Sequence, residues 1–277
     1  MLLQRRKNKG RRGGCEEREM SLAGVNGEAI FSRTRELIGA AGVERLRRSR
    51  VAVFGLGGVG SFALEGLARA GIGFFQLVDH DVIEPSNLNR QLLALYSTLG
   101  LPKVAVARQR VKDINPAAEV ITCQVRCSEE NCAQLLEGNF DYVVDAIDMV
   151  PAKIALVAAA FRRGIPVVSS MGAGNKMDPL AFRVGDIAET RVCPLARAVR
   201  RGLRQQGIES GVKAVYSVEP VRKRAEYAEK AGQAEEAAGS GYPPASISFT
   251  PAVAGMLLAA TVVRDLLADL ITPEVGN

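Results

Sequence analysis

Runs of β-branched and aromatic residues alternate with segments of helical period along most of the chain. VAVFG (51–55) predicts a buried strand, and SFALEGLARAG (61–71) a helix carrying Leu64, Leu67 and Ala68 on one face and stopped by Gly71. FFQLVD (74–79) predicts a second strand, KVAVARQRVKDIN (103–115) an amphipathic helix ending before Pro116, and EVITCQV (119–125) a third strand. SEENCAQLL (128–136) reads as a helix opened by a serine cap with glutamate close behind. YVVDAID (142–148), AKIALVAAAFRRG (152–164) and IPVVSSMGAG (165–174) continue as strand, helix and strand. Short helices over 29–48 lead into this series.

Past residue 175 the rhythm changes. DPLAFRVGDI (178–187) reads as extended, CPLARAVRRGLRQQG (193–207) as a basic helix, KAVYSVEP (213–220) as a strand, and the apolar run after SISFT as a closing helix starting at or near Pro251. Strands and helices that alternate at these lengths specify a parallel sheet covered on both faces, with right-handed crossovers. The expected class is therefore α/β, a Rossmann-like doubly wound, mainly parallel sheet with a C-terminal mixed α/β extension. Residues 29–175 form the core of this scheme, 176–277 an extension completing the same domain, 1–28 a disordered basic tail and 222–245 a mobile loop rich in Ala, Glu, Gly and Lys. No internal repeat is found.

Composition narrows the function. The 277 residues carry a net charge of +6 but no tryptophan, and aromatics make up 5%, which argues against a nucleic-acid reader built on aromatic stacking. Residues 1–18 hold seven basic and two acidic side chains, +5 of that +6, so the rest is nearly neutral. That tail reads as a solvated segment or as a tether for RNA phosphates, and with no apolar stretch behind it it is not a secretory signal. The five cysteines (15, 123, 127, 132 and 193) form no C-x-x-C pair, so a zinc ribbon is unsupported and a reducing cytoplasmic setting is expected. The apolar run Pro251–Val263 is short and closed by Arg264 and Asp265, and reads as a buried helix rather than a membrane span. His80 is the only histidine; a Ser-His-Asp or histidine–metal centre is not expected, and no chemistry is assigned to it.

Candidate chemistry centres on the glycine loop. Gly55, Gly57 and Gly60 fit G-x-G-x-x-G between a strand and a helix, with Gly58 in the same loop, where backbone N–H groups and the helix dipole favour an anion. Asp79 ends the second strand, where a carboxylate can accept ribose hydroxyls. A dehydrogenase has the same features to this point. The next segment sets this chain apart: DVIEPSNLNRQ (81–91), then Lys103. Arg90 can grip phosphate oxygens as a fork and Lys103 can act as a point charge, which suits a triphosphate better than a dinucleotide. Asp148 is read at the end of the fourth strand, facing the crevice beyond the carboxyl edge, as a holder of Mg²⁺ on phosphates or as a helix cap.

GLGGVGS (55–61), VDHDVIEPSNLNRQ (78–91), LPKV (101–104) and VVDAID (143–148), in this order, resemble the ubiquitin-activating-enzyme-like adenylyltransferases. The resemblance implies a homodimer that binds ATP with Mg²⁺ and adenylates a carboxylate. It implies that Asp79 holds the ribose, Asn89, Arg90, Gln91 and Lys103 the phosphates, and Asp148 the metal. Arg33, in FSRTRELIG, matches the arginine that reaches the ATP of the other subunit.

FSRTRELIG, IPVVSSMGAGNKMDP, DIAETRVCPLARAVRRGLR, VYSVEP and SISFTPAVAGMLLA are more closely similar to one branch, the tRNA threonylcarbamoyladenosine dehydratases, over nearly the whole chain from residue 29. Membership of that branch implies ATP-driven cyclisation of a threonine-bearing adenosine in tRNA, with a sulfur-relay protein as a further possible partner and no membrane. On the basic helix Arg197, Arg200, Arg201 and Arg204 share one face, which is read as a tRNA-backbone contact or as a solvated surface. Two other readings stand beside this one: activation of the C-terminus of a ubiquitin-like sulfur carrier, disfavoured by the missing cysteine pairs, and a non-catalytic or NAD-binding module. Cys193, before Pro194 at a helix start, is weighed as a thioester nucleophile and set aside.

Overall fold

A computed structural model describes residues 27–221 and 245–270. The readings of the basic tail and of the loop at 222–245 fall almost wholly outside them. The described chain opens with α1 (Gly27–Ile30) and α2 (Ser32–Arg48), the latter broken at Gly39, where φ is 72°. Then come β1 (Arg50–Phe54), α3 (Gly60–Ala70), β2 (Phe74–Val78), α4 (Lys103–Ile114), β3 (Glu119–Cys123), α5 (Cys132–Leu135), β4 (Tyr142–Asp145), α6 (Val150–Arg162) and β5 (Val167–Ser170). The extension adds β6 (Phe182–Asp186), α7 (Pro194–Gln205), β7 (Lys213–Ser217) and α8 (Phe249–Leu266).

The seven strands form one sheet in the order β3-β2-β1-β4-β5-β7-β6, parallel except for the antiparallel edge pair β6 and β7. The expected doubly wound α/β class is what forms. The order reverses between β1 and β4, and a parallel sheet opens its ligand crevice at such a switch point, beyond the carboxyl ends of the strands. The glycine loop leaves β1 there. Val51, Ala52, Val53, Phe54, Val143 and Val144 are fully buried, as strands covered on both faces require.

The core divides over the two faces. One side packs Leu64, Leu67, Leu77, Val104, Val111 and Leu258, and the other Phe54, Leu156, Val157, Val199 and Leu203. α8 is long and apolar enough to cross a membrane by composition, yet Ala254, Gly255, Leu258 and Val262 are buried, three of them in the first of these clusters. A Cβ at Gly255 would stand 2.3 Å from the Val59 carbonyl oxygen, so only glycine lets α8 lie this close to the start of α3. At the other end of α8, the Asp265 carboxylate accepts hydrogen bonds from Tyr142 Oη at 2.6 Å and Lys213 Nζ at 2.5 Å. Burial, reinforced by that carboxylate, pushes the Tyr142 phenol well above its ordinary range.

Two local expectations need correction. Ser128 does not cap a helix: its N–H donates to Asn131 Oδ1 at 2.8 Å, Asn131 Nδ2 donates to the Arg126 carbonyl at 2.9 Å, and α5 is a single turn starting at Cys132. Asx side chains that bond the nearby backbone favour a turn over a helix. Asp148 does not end β4, which stops at Asp145; it lies in the connection to α6 and is exposed.

Candidate adenylate-forming site

The glycine loop is built by exclusion of side chains. Gly55 has φ +85°, and a Cβ there would meet the Ala146 carbonyl oxygen at 2.7 Å; one at Gly60 would stand 1.8 Å from the Gly55 carbonyl oxygen. Only glycine permits that turn and that helix–strand approach. Asp79, 8% exposed, fixes the loop from β2: Oδ2 accepts from Leu56 N–H at 2.6 Å and Oδ1 from Asp81 N–H at 2.8 Å. Its carboxylate thus reaches the crevice already braced by two donors, with lone pairs remaining for hydroxyl groups.

A 3₁₀ turn, Pro85–Asn87, opens SNLNRQ, whose last residues run onto the glycine loop. The Cβ position of Gly58 lies 3.5 Å from Arg90 Cγ, and that of Gly57 lies 3.9 Å from Gln91 Nε2. Arg90 Nη1 donates to the Ser86 carbonyl at 2.8 Å and to Asn89 Oδ1 at 2.9 Å. Nε and Nη2 have no partner among the described residues, so three of the five guanidinium N–H donors remain for an anion. Asn89 Nδ2 donates to the Ser246 carbonyl at 3.2 Å. Asn89 is therefore placed to orient Arg90 and to anchor the segment before α8. Gln91 is buried with its Oε1 unpartnered among the described residues, and so is Thr250 Oγ1, next to the Pro251 that packs 3.2 Å from the Gly58 Cβ position.

Lys103 is 4% exposed, and its ammonium donates to Asp81 Oδ2 at 2.7 Å. The two residues are tied again through the backbone, Lys103 N–H to the Asp81 carbonyl at 3.0 Å. Burial pushes the Asp81 carboxyl up, but the hydrogen bond and charge of Lys103, aided by His80 and Arg126, outweigh it and hold it below the usual carboxylate range. Asp81 is a residue that sequence reasoning missed; its signal was an acid two positions beyond Asp79. A polar depression of about 300 Å³ lies here, lined by His80, Asp81, Val82, Glu84, Asn87 and Lys103.

Ligand atoms of Asp79, His80 and Asp81 lie within 4.8 Å of one another, a spacing open to a cation. Their partners oppose it: Lys103 holds Asp81, and Arg126 Nη2 stands 2.8 Å from His80 Nε2. Asp148 suits a cation better. Its carboxylate is exposed just beyond β4 and has no partner among the described residues, and it does not cap α6, whose first residue follows Met149.

Beneath it lies a second missed pair. Asp145 and Lys153 are both 0% exposed and 2.7 Å apart, and Ser169 Oγ donates to the same Asp145 oxygen at 2.6 Å. Asp145 Oδ1 accepts from Ile147 N–H at 3.1 Å, so this buried pair shapes the backbone that carries Asp148. The lone lysine in AKIALVAAA was the available signal.

Arg33 is exposed on the first turn of α2, and Phe31, two residues before it, packs against Gly71 at the end of α3 opposite the glycine loop. Arg197, Arg201 and Arg204 are exposed along α7, whereas Arg200 is half-buried and donates from Nη1 to the Thr190 carbonyl and Oγ1, both at 2.6 Å. Arg200 thus braces the approach to α7. Cys193 is 4% exposed, with Sγ 3.5 Å from the Cβ position of Gly172, which leaves little room for an acyl group. Burial pushes the Cys127 thiol up to about 12, and the Cys123 and Cys132 thiols up as well, so none of these three is a ready thiolate.

The chain and its fold have known counterparts. Residues 31–275 match the ThiF family. The chain is 45% identical to the tRNA threonylcarbamoyladenosine dehydratase of Bacillus subtilis over 242 residues, covering 87% of this chain and 95% of that protein. It is 38% identical to the Escherichia coli enzyme of the same name over 196 residues, covering 68% of this chain and 73% of that one. A crystal structure of the E. coli dehydratase in complex with ATP superposes with a TM-score of 0.77 at 32% identity, over 87% of this chain and 95% of that one.

Proposed function

The chain belongs to the ThiF family, and from that premise we propose that it uses ATP to dehydrate threonylcarbamoyladenosine in tRNA, closing a ring by way of an acyl adenylate. The observation that carries the reading is Arg90: a side chain whose stem packs on the glycine loop and whose guanidinium is anchored through Nη1 and open at Nε and Nη2. A fork of that kind recognises phosphate oxygens two at a time.

In this reading a threonine carboxylate oxygen attacks the α-phosphorus of ATP and pyrophosphate leaves. A nucleophile of the same modified side chain then attacks the acyl carbon, loses its proton, and AMP departs carrying the carboxylate oxygen. The net loss from the nucleoside is one water. The protein need supply no covalent nucleophile, which accords with the buried Cys193. Arg90 and Lys103 neutralise charge gathering on the phosphates, and because both are held in place beforehand they do so with little reorganisation. Asp79 takes the ribose hydroxyls. Asp148 would hold Mg²⁺, which when bound shields the phosphate charge.

Arg33 is exposed near the end of α3 opposite the glycine loop, and we assign it to the ATP of a second copy in a homodimer. The exposed Leu37, Leu95 and Tyr96 are apolar surface that such a partner can cover. Arg197, Arg201 and Arg204 form the proposed RNA-backbone contact, and the free thiols Cys123, Cys127, Cys132 and Cys193 suit work in a reducing cytoplasm. Isotope exchange between pyrophosphate and ATP tests the substrate assignment. Exchange is expected only with tRNA bearing the modified nucleoside; exchange that needs a sulfur-carrier protein instead would move the chain to that other class of substrate.

A further inference from the structure

We propose that Asn175 is a positioning residue for the adenylation site, setting Arg90 through Ala245, Ser246 and Asn89. The inference rests on the assignment of Arg90 to the phosphates of ATP. Asn175 follows β5 in the turn MGAGNK and takes φ 56°, in the left-handed region that asparagine tolerates better than other side chains. In that conformation it grips Ala245 twice. Its N–H donates to the Ala245 carbonyl at 2.7 Å, and its Oδ1 accepts from the Ala245 N–H at 3.0 Å.

The next carbonyl along, Ser246, accepts from Asn89 Nδ2 at 3.2 Å, and Asn89 Oδ1 accepts from Arg90 Nη1 at 2.9 Å. Arg90 is thereby held between Asn89 and the Ser86 carbonyl. The same stretch of backbone enters α8, whose Pro251 packs on the glycine loop at Gly58. One asparagine in the turn after β5 thus fixes the segment that orients the phosphate-facing arginine. Arginine has a flexible stem, so a guanidinium fixed before ATP arrives loses less freedom on binding than a wandering one. Loss of the Asn175 grip should therefore weaken ATP binding, and only while Arg90 is there to be oriented.

The test is calorimetric titration of the full chain with ATP and Mg²⁺ in a double-mutant cycle. Asn175→Gly keeps the positive φ without strain and removes the acceptor, whereas Asn175→Asp keeps an acceptor in place. Asn175→Gly is expected to weaken ATP binding by roughly five- to twenty-fold, with Asn175→Asp restoring most of it and the glycine penalty disappearing in an Arg90→Ala background. Asn175→Ser, with a shorter acceptor, runs through the same cycle as a second variant should the glycine one prove unstable, with thermal melting monitored for each. Wild-type affinity in both, or a loss of equal size with and without Arg90, would overturn the proposal while leaving the ATP site intact. Wild-type affinity in Arg90→Ala itself would instead overturn the reading on which the proposal rests.

Discussion

At the scale of single residues, the site is a set of charges whose partners are chosen in advance. Arg90 has spare donors, Lys103 is shared with Asp81, and Asp148 has no partner among the described residues. Arg90→Ala is expected to lower kcat/KM by about 100-fold or more, as removal of a charge-assisted donor does, with the melting temperature unchanged. A melting shift with kinetics intact would show the side chain to be structural. Asp145 and Lys153 behave in the opposite way. Lys153→Met strands a buried carboxylate and should destabilise the fold by about 3–5 kcal/mol in a denaturant titration. A change within experimental scatter would mean that Ser169 and the backbone satisfy Asp145 unaided. The depressed Asp81 carboxyl gives a pH dependence with a definite sign. A group whose folded pKa lies below its unfolded value stabilises the fold above the unfolded value, roughly 4, and loses that contribution as pH falls through the folded one. In Asp81→Asn the acid limb of the stability profile should flatten; a profile superimposable on wild type would detach Asp81 from Lys103.

At the scale of elements, the parallel strands were legible because burial on both faces leaves near-continuous apolar runs such as VAVF and YVV, and Gly71 marked the end of α3 with a left-handed cap. The turn made by the glycine loop and the approach of SNLNRQ to it were legible as residue types at fixed offsets from a strand. What escaped was whatever depends on long-range partners. Nothing local in SEENCAQLL says that Asn131 will close a turn on Ser128, and nothing in NLNR says that Asn89 will meet Ser246 from the far end of the chain. Arg200 illustrates the same limit: its place on the basic face of α7 follows from helical spacing, but its bond to Thr190 does not. Removing the three arginines that remain exposed, Arg197, Arg201 and Arg204, should weaken tRNA binding across sequences and lower the salt slope by roughly two to three units. An unchanged slope would make that face a solvated surface.

At the scale of the whole molecule, the antiparallel edge β6–β7 and the closing α8 belong to the same sheet and core as the glycine loop, so the C-terminal third of the sequence helps to build the crevice. Arg33 is the exception: it is exposed, and Phe31, two residues before it, packs 3.3 Å from the Cβ position of Gly71, at the end of α3 opposite the glycine loop. If it serves a second copy, Arg33→Ala and Asp148→Ala chains, each inactive alone, should regain about a quarter of wild-type activity when mixed and allowed to exchange, because half of the dimers then carry one intact site. No recovery on mixing would place Arg33 in its own crevice and not its partner's, and full activity of Arg33→Ala alone would place it outside the chemistry. Whether ATP is used to remove water from a nucleoside in tRNA can be decided in one reaction. Purified protein, ATP, Mg²⁺ and tRNA carrying threonylcarbamoyladenosine are incubated, the tRNA is digested mildly to nucleosides, and these are weighed by mass spectrometry. The expected product is a nucleoside lighter by one water, appearing in step with AMP. A nucleoside of unchanged mass, whether or not AMP is formed, would refute the proposed reaction.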